Sequence, residues 1–325
     1  MSSTIQGQVR LFACGGCGVN IAASYVNTKR EALSAEIHPV FIDTSRSNLE
    51  AHIPDESRYI LPDLDGSGKV RSENYEKIKD VIKQIIHQHR PMGMNLVVFS
   101  ASGGSGSVIA PLLIGELLAR GEIVIAIVIG SDESAITAQN TLNTLKSLEG
   151  VSRNAKKPVV MYYRHNTRGR ARSEVDAELH YAISTLAVLA SGTIKGIDTK
   201  DIANWVGFDK TTSVDPRVAV LEIFAEGAGA KAVPWKEYNP ISVISIYKDA
   251  DQVTLPIVPE YHCDGFADVM GLDALHYLID VSALPRIASL VQATVKELDE
   301  ARQSRPSFSS LLSNGDKPKD DGMVM

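Results

Sequence analysis

The chain is 325 residues long, 44% hydrophobic and 22% charged, the balance of an ordinary soluble globular protein with one large or two moderate domains. No apolar stretch is long enough to span a bilayer, and the first residues resemble neither a secretory signal nor a transit peptide, so the expected compartment is the cytoplasm and no membrane partner is expected. Three cysteines, Cys14, Cys17 and Cys263, are too few for a disulfide framework, and a net charge of -6 argues against direct nucleic-acid binding.

Residues 9–13 read as a first strand. The glycine turn Cys14-Gly15-Gly16-Cys17-Gly18-Val19-Asn20 follows and feeds a helix through Ile21, Ala22, Ala23, Tyr25 and Val26. The first amides of a helix have no internal partner and sit at the positive end of its dipole, and glycine lets an anion approach them. Gly16-x-Gly18, with Asp43 ending the next strand, also suggests a dinucleotide fingerprint, although Ile21 stands where its third glycine or alanine belongs. A NAD-dependent oxidoreductase is therefore one reading of this end of the chain. Cys14-x-x-Cys17 has no second pair, which favours small buried thiols over a redox or metal motif.

The second strand, residues 40–43, ends in the polar groups Asp43, Thr44 and Ser45. A small-residue loop, Leu64-Asp65-Gly66-Ser67-Gly68-Lys69, leads to a helix that Ser72 is expected to cap, with Ile78, Val81, Ile82, Ile85 and Ile86 as its buried stripe. A third glycine loop, Ser102-Gly103-Gly104-Ser105-Gly106-Ser107, joins the apolar run 96–99 to a helix marked by Ile109, Leu112, Leu113, Leu117 and Leu118. Three such loops at strand ends in one parallel α/β pattern read as a cradle for a di- or triphosphate, and no Gly-x-x-x-x-Gly-Lys-Ser/Thr motif is present.

Residues 122–130 read as a buried central strand, a helix covers about 135–148, and residues 158–163 are the next strand, running into Asn166 and an arginine-rich loop (Arg164, His165, Arg168, Arg170, Arg172). That loop reads as solvated or nucleotide-flanking. A long helix from 173 to about 191 divides the chain. Beyond it come strands at 218–224, 241–247 and 276–281, a helix near 265–270, a last helix carrying Ile287, Leu290, Val291, Val295 and Leu298, and a polar tail from 303 to 325.

Taken in order, these motifs resemble the tubulin/FtsZ superfamily of polymerising GTPases, whose signature is a Gly-Gly-Gly-Thr-Gly-Ser/Thr-Gly turn. Residues 102–107 match its first six places, with serine for the first glycine and for the threonine, and Cys17 stands where tubulins carry a cysteine. Asp198-x-x-Asp201 meets the acidic pair of the family's Asn-x-Asp-x-x-Asp/Glu loop, with Gly196 in place of the asparagine. Counting back along the long helix puts Asp176 at the guanine-binding carboxylate, although Ser173-x-x-Asp176 also looks like a helix cap with a first-turn acid.

The resemblance implies an α/β fold with a Rossmann-like parallel-sheet GTPase domain (1–172), a central helix (173–192), a smaller second α/β domain (193–285) and a C-terminal helix and tail (286–325). It implies GTP/GDP with Mg2+ carried on the phosphates and no metal ligand of its own. Phosphates would lie on Gly15, Gly16, Cys17, Gly18, Asn20, on Gly66, Ser67, Gly68, Lys69, and on Ser102 to Ser107. Asn20, Asn166 and Asp176 would hold the guanine, and Asp43, Thr44 and Glu133 complete the nucleotide set. Asp198 and Asp201 would be catalytic in the pocket of a neighbouring copy. Short length and loose glycine motifs look most like the phage and plasmid branch, whose filaments position phage or plasmid DNA. An acidic tail after Arg305 would then dock on a neighbouring subunit. A non-catalytic nucleotide-binding assembly protein remains a third reading.

Overall fold

The structure is a computed structural model that describes residues 7–27, 33–48, 53–72, 74–227 and 229–304. The tail expectation for residues 306–325 lies outside the described residues.

Apolar runs alternating with amphipathic segments favour a parallel sheet with helices on both faces. The elements are β1 (Gln8–Cys14), α1 (Gly15–Val26), β2 (Glu36–Asp43), β3 (Arg58–Ile60), α2 (Tyr75–Gln88), β4 (Met94–Ser100), α3 (Gly106–Ala119), β5 (Val124–Ser131), α4 (Ala135–Ala155), β6 (Val159–Asn166), α5 (Arg172–Leu189), α6 (Thr199–Val206), β7 (Val218–Glu226), β8 (Ser242–Tyr247), β9 (Tyr261–Phe266), β10 (Ala274–Asp280) and α7 (Ala283–Gln303). The strands form one sheet in the order β3-β2-β1-β4-β5-β6-β7-β10-β8-β9. β1 to β7 pair in parallel, β10 runs antiparallel to both β7 and β8, and β8 pairs with β9 in parallel. The order of the first six strands reverses between β1 and β4, and a crevice for a ligand opens there, outside the strands' carboxyl ends.

Burial on both faces explains the unbroken apolar strands: every residue of β5 is buried. Over one face α1 and α5 pack Val19, Ala22, Val175, Leu179 and Ile183 against Leu11, Val98 and Ile127. Over the other, α2 and α3 set Ile82, Ile85, Ile109 and Leu113 against Phe12, Val97 and Phe99. Trp205 of α6 is fully buried, edge-on to Tyr277 with ring centroids 6.0 Å apart.

Three local expectations are corrected. Residues 265–270 are not helical: Gly265 and Phe266 end β9, held in register by Ser242↔Tyr261 through Tyr247↔Phe266. A Cβ on Gly265 would lie 2.4 Å from Ile197 Cδ1, so glycine there lets β9 close on the turn before α6. Helix α2 starts after Asn74 rather than at Ser72, and Asn74 spends its Nδ2 on Gly66 O (2.8 Å). Helix α4 continues to Ala155, past the expected end near 148. The sheet passes from β6 to β7 without a break, through Val159↔Val218 to Met161↔Val220. Among the described residues no helix is long and apolar enough to cross a membrane.

Candidate functional site

A cavity of about 190 Å³ opens at the β1/β4 crevice, lined by Cys14, Gly15, Gly16, Cys17, Asp43, Ser45, Asn48, Gly66, Ser67, Ser100, Gly103, Gly104, Ser105 and Gly106. Helices α1 and α3 begin at its wall, and neither Cys14 nor Ser105, their N-cap residues, makes a side-chain cap. Two sets of uncapped first-turn amides thus converge on one space, a strong anion site. The loops touch closely enough to demand glycine. A Cβ on Gly15 (φ +71) would lie 2.6 Å from Gly106 N, and one on Gly106 would lie 2.4 Å from Cys14 O. Hydroxyls knit the loops together: Ser105 Oγ lies 2.5 Å from Thr44 Oγ1 and 3.0 Å from Ser67 Oγ. Burial raises the Asp43 carboxyl above its usual range, opposed by hydrogen bonds that it accepts from Asn48 Nδ2 and Thr44 N, both at 2.7 Å.

Beyond Cys17, Glu133, Asn166 and Asp176 come from the β5–α4 loop, the end of β6 and the second turn of α5. Arg172 Nη2 pairs with Glu133 Oε2 at 2.8 Å and holds that carboxyl below its usual range. Asn166 Oδ1 is buried with no hydrogen-bond partner among the described residues. Burial raises the Asp176 carboxyl, while His180 and Arg172 act against that rise. Burial, and then the Asp176 charge, push the Cys17 thiol up to about 12, and the deeper Cys14 thiol is raised further. Both stay protonated at neutral pH, which argues against a reactive thiolate at either position. Among the described residues no three His, Cys, Asp or Glu side chains form a metal-ligand set.

The cavity gathers ten expected residues: Gly15, Gly16, Cys17, Asp43, Gly66, Ser67, Gly103, Gly104, Ser105 and Gly106. Others serve its walls instead. Gly18 packs helix on strand, since its Cβ would lie 2.3 Å from Val98 O. Ser107 is buried and donates back to Gly103 O (2.8 Å) and Gly104 O (2.9 Å). Ser102 offers its carbonyl to Asn140 (3.2 Å), Thr44 is buried beneath Ser105, and Asn20, Gly68 and Lys69 are exposed outside the lining. Sequence reasoning gave no role to Asn48 in the lining, or to Asn140 and Arg71 behind it, whereas Cys14, Ser45 and Ser100, which also line it, stand in the glycine turns and the polar strand end already singled out. The arginine-rich loop is matched by carboxylates: Arg164 pairs with Glu178 (2.9 Å) and Glu222 (3.1 Å), and Arg170 with Glu174 and Glu178.

Asp198 and Asp201 lie elsewhere. Asp198 caps α6, accepting from Lys200 N (2.7 Å) and Asp201 N (3.0 Å), and Asp201 Oδ2 accepts in return from Asp198 N (2.9 Å). Those backbone bonds hold the Asp198 carboxyl below its usual range. Their neighbours Thr199 and Ile202 share a pocket with Gly7, Gln8, Gly93 and Met94, at the amino ends of β1 and β4. The glycine cavity is at the carboxyl ends of the same strands, roughly 20 Å away along the seven residues of β1.

Residues 8–160 match the model for the Tubulin/FtsZ family, GTPase domain, and residues 197–283 that for the phage tubulin-like protein, C-terminal domain. A phage tubulin-like protein of Pseudomonas phage PhiPA3 is 28% identical across 98% of this chain and 99% of its own length. The fold superposes on a protofilament of TubZ from bacteriophage PhiKZ with a TM-score of 0.84 and 28% identity, covering 98% of this chain and 99% of that one. It also superposes on the phage tubulin PhuZ in its GDP form, with a TM-score of 0.83, 25% identity and 98% of each chain covered.

Proposed function

Because this chain belongs to the tubulin/FtsZ family, with a GTPase domain followed by a phage tubulin-like C-terminal domain, we propose that it binds GTP in the β1/β4 cavity and hydrolyses it where a second copy completes the site. It is a filament-forming GTPase. The observation that carries the shared site is the separation of its parts: the cavity and the Asp198/Asp201 pair occupy opposite ends of the same strands. No single chain brings the two together, whereas a head-to-tail neighbour does.

The amides of Gly15, Gly16 and Gly103 to Gly106 face the phosphates. Asp176 accepts from guanine N1–H and the N2 amine, a pair that adenine lacks, and the unpartnered Asn166 Oδ1 is a second acceptor on that side. Glu133, paired with Arg172 at 2.8 Å, completes the nucleotide set on that side. Mg2+ would be held mainly by phosphate oxygens, and the Ser67 and Ser105 hydroxyls and the Asp43 carboxylate in the lining are hard oxygen donors of the class it takes. When bound it supplies charge neutralisation on the phosphates. The neighbour's Asp198 and Asp201 orient the attacking water, and positioning with charge stabilisation suffices for phosphoryl transfer.

The NAD-dependent reading loses its support, since Gly18 serves helix packing and Ile21 occupies the third fingerprint place. Kinship with phage tubulins supports a filament that positions phage DNA in a bacterial cytoplasm, with the tail after Arg305 adding contacts between subunits. Light scattering and phosphate release, followed with GTP and with GDP over a range of protein concentrations, test the reading. Turnover is expected to appear at the assembly threshold and only with GTP. Release proportional to protein below that threshold overturns the shared site, and assembly without release supports a non-catalytic nucleotide-binding protein.

A further inference from the structure

Arg71 ends the glycine loop that begins at Gly66 and turns its half-buried guanidinium behind the 102–107 turn. Nε donates to Ser107 Oγ (3.2 Å), and Nη2 donates to Ser107 O (3.2 Å) and Ser147 Oγ (2.9 Å). All three acceptors are neutral, and among the described residues no carboxylate lies within ion-pair distance of it. Burial alone lowers its pKa, with no opposing anion. A cation taken out of water without a counter-ion is costly, and the cost falls only when an anion arrives.

The bonds lead toward the place where one would arrive. Ser107 Oγ, which accepts from Arg71, gives its own proton to Gly103 O or Gly104 O. From the other side Asn140 Nδ2 donates to Ser102 O (3.2 Å) and Gly103 O (3.4 Å) and to Lys69 O (2.9 Å), which ties the two glycine loops together. Every carbonyl from Ser102 to Gly104 therefore has a donor outside the cavity. The N–H groups of the same peptides, on Gly103, Gly104 and Ser105, have no protein acceptor among the described residues. Hydrogen bonds in a chain polarise one another, so a charge-assisted donor at the carbonyl end strengthens the N–H at the other end of the peptide.

We propose that Arg71 is a positioning residue for the nucleotide's phosphates: acting through Ser107, it orients and polarises the amides of Gly104 and Ser105, and the bound polyphosphate is its missing counter-ion. The inference rests on the GTP reading of the cavity and assigns it a device that no lining residue supplies. Its signature is dependence on phosphate number, because the charge acts on the phosphates and not on the nucleoside.

Equilibrium binding of guanosine, GDP and GTP to the full chain tests it, alongside thermal unfolding without nucleotide, in the wild type, Arg71→Gln and Arg71→Lys. Arg71→Gln is expected to leave guanosine affinity within twofold, weaken GDP, and weaken GTP about tenfold or more, without lowering the melting temperature of the free protein. Arg71→Lys, which keeps the charge, recovers part of the GTP loss. Equal losses for guanosine and GTP, with a lowered melting temperature, would reduce Arg71 to a structural tie and overturn the inference. A wild-type preference for GTP over guanosine that Arg71→Gln leaves intact overturns it too, while the nucleotide reading stands. A wild type that binds GTP no better than guanosine overturns that reading and this inference together.

Discussion

Asp201 already has work within its own chain, since Oδ2 accepts from Asp198 N in the capping box of α6. Asp201→Asn retains an oxygen for that cap and removes the charge, so it separates the two roles better than alanine, which also costs about 1 kcal/mol of helix capping. The variant is expected to bind GTP and assemble, while phosphate release above the assembly threshold falls 100-fold or more and filaments outlast the GTP supply; a normal rate would end the shared-site mechanism. Asp176 makes a different prediction. Replacing it with Asn removes an acceptor and adds a donor facing guanine N1–H, so competition against a labelled GTP analogue should show a GTP-over-ATP preference reduced at least tenfold; an unchanged preference would leave Asp176 as a helix-turn acid only. His276 reports on the core. Its ring is fully buried between Trp235 and Tyr247, Nδ1 meets Ser245 Oγ at 2.9 Å, and Glu226 and His262 are ionisable neighbours. Burial, and after it the neighbouring His262, lower its pKa to about 4, although Glu226 Oε1 lies 3.7 Å from Nε2, so the folded state holds the neutral ring. That contribution is complete above the unfolded value near 6.5 and disappears as pH falls toward 4, a loss on the order of 3 kcal/mol. Urea unfolding at pH 7 and pH 4.5 should show a smaller pH dependence in His276→Asn than in the wild type, and equal slopes would refute a neutral buried ring.

At the scale of elements, the contact between the two glycine turns is the point where the fold and the site become one thing. Gly106→Ala forces a Cβ to within 2.4 Å of Cys14 O, so the starts of α1 and α3 must separate; GTP affinity should fall tenfold or more with a stability loss of about 1–3 kcal/mol. Gly150→Ala on α4 is the control, where the new Cβ meets nothing within 4 Å and the helix should gain about 0.5–1 kcal/mol. Calorimetry with and without GTP distinguishes the pair, and similar behaviour in both variants would show that the turns do not need their glycines. These turns were legible in the sequence because apolar strand, small residues and helical stripe are local signals. The helix expected at 265–270 was not, since Phe266, Val269 and Met270 happen to fall at helical spacing while the real determinant is pairing of β9 with β8. Ser72 looked like a cap because sequence cannot show that Asn74 ends the loop two residues later. Arg71 and Asn140 were invisible for the same reason: their partners lie 36 to 76 residues away along the chain.

Over the whole molecule, the alternation of strands and helices foretold a parallel sheet and its crevice, but not that all ten strands share one sheet. The join is a short one, three residue pairs between β6 and β7, and the reversal of β10 beyond it leaves no mark in composition or periodicity. That single sheet gives the molecule two unlike ends, the glycine cavity at one and the acid pair at the other. A contact between unlike surfaces that does not close into a ring has a simple arithmetic. A row of n copies owns n cavities and n acid pairs but only n − 1 meetings of the two. With the site shared as proposed, one terminal cavity would keep its nucleotide uncleaved for as long as it remained terminal, without any special conformation to protect it. On that proposal a pair of subunits is expected to work at half the per-subunit rate of a long row, and shearing a filament to lower turnover by one site for each break.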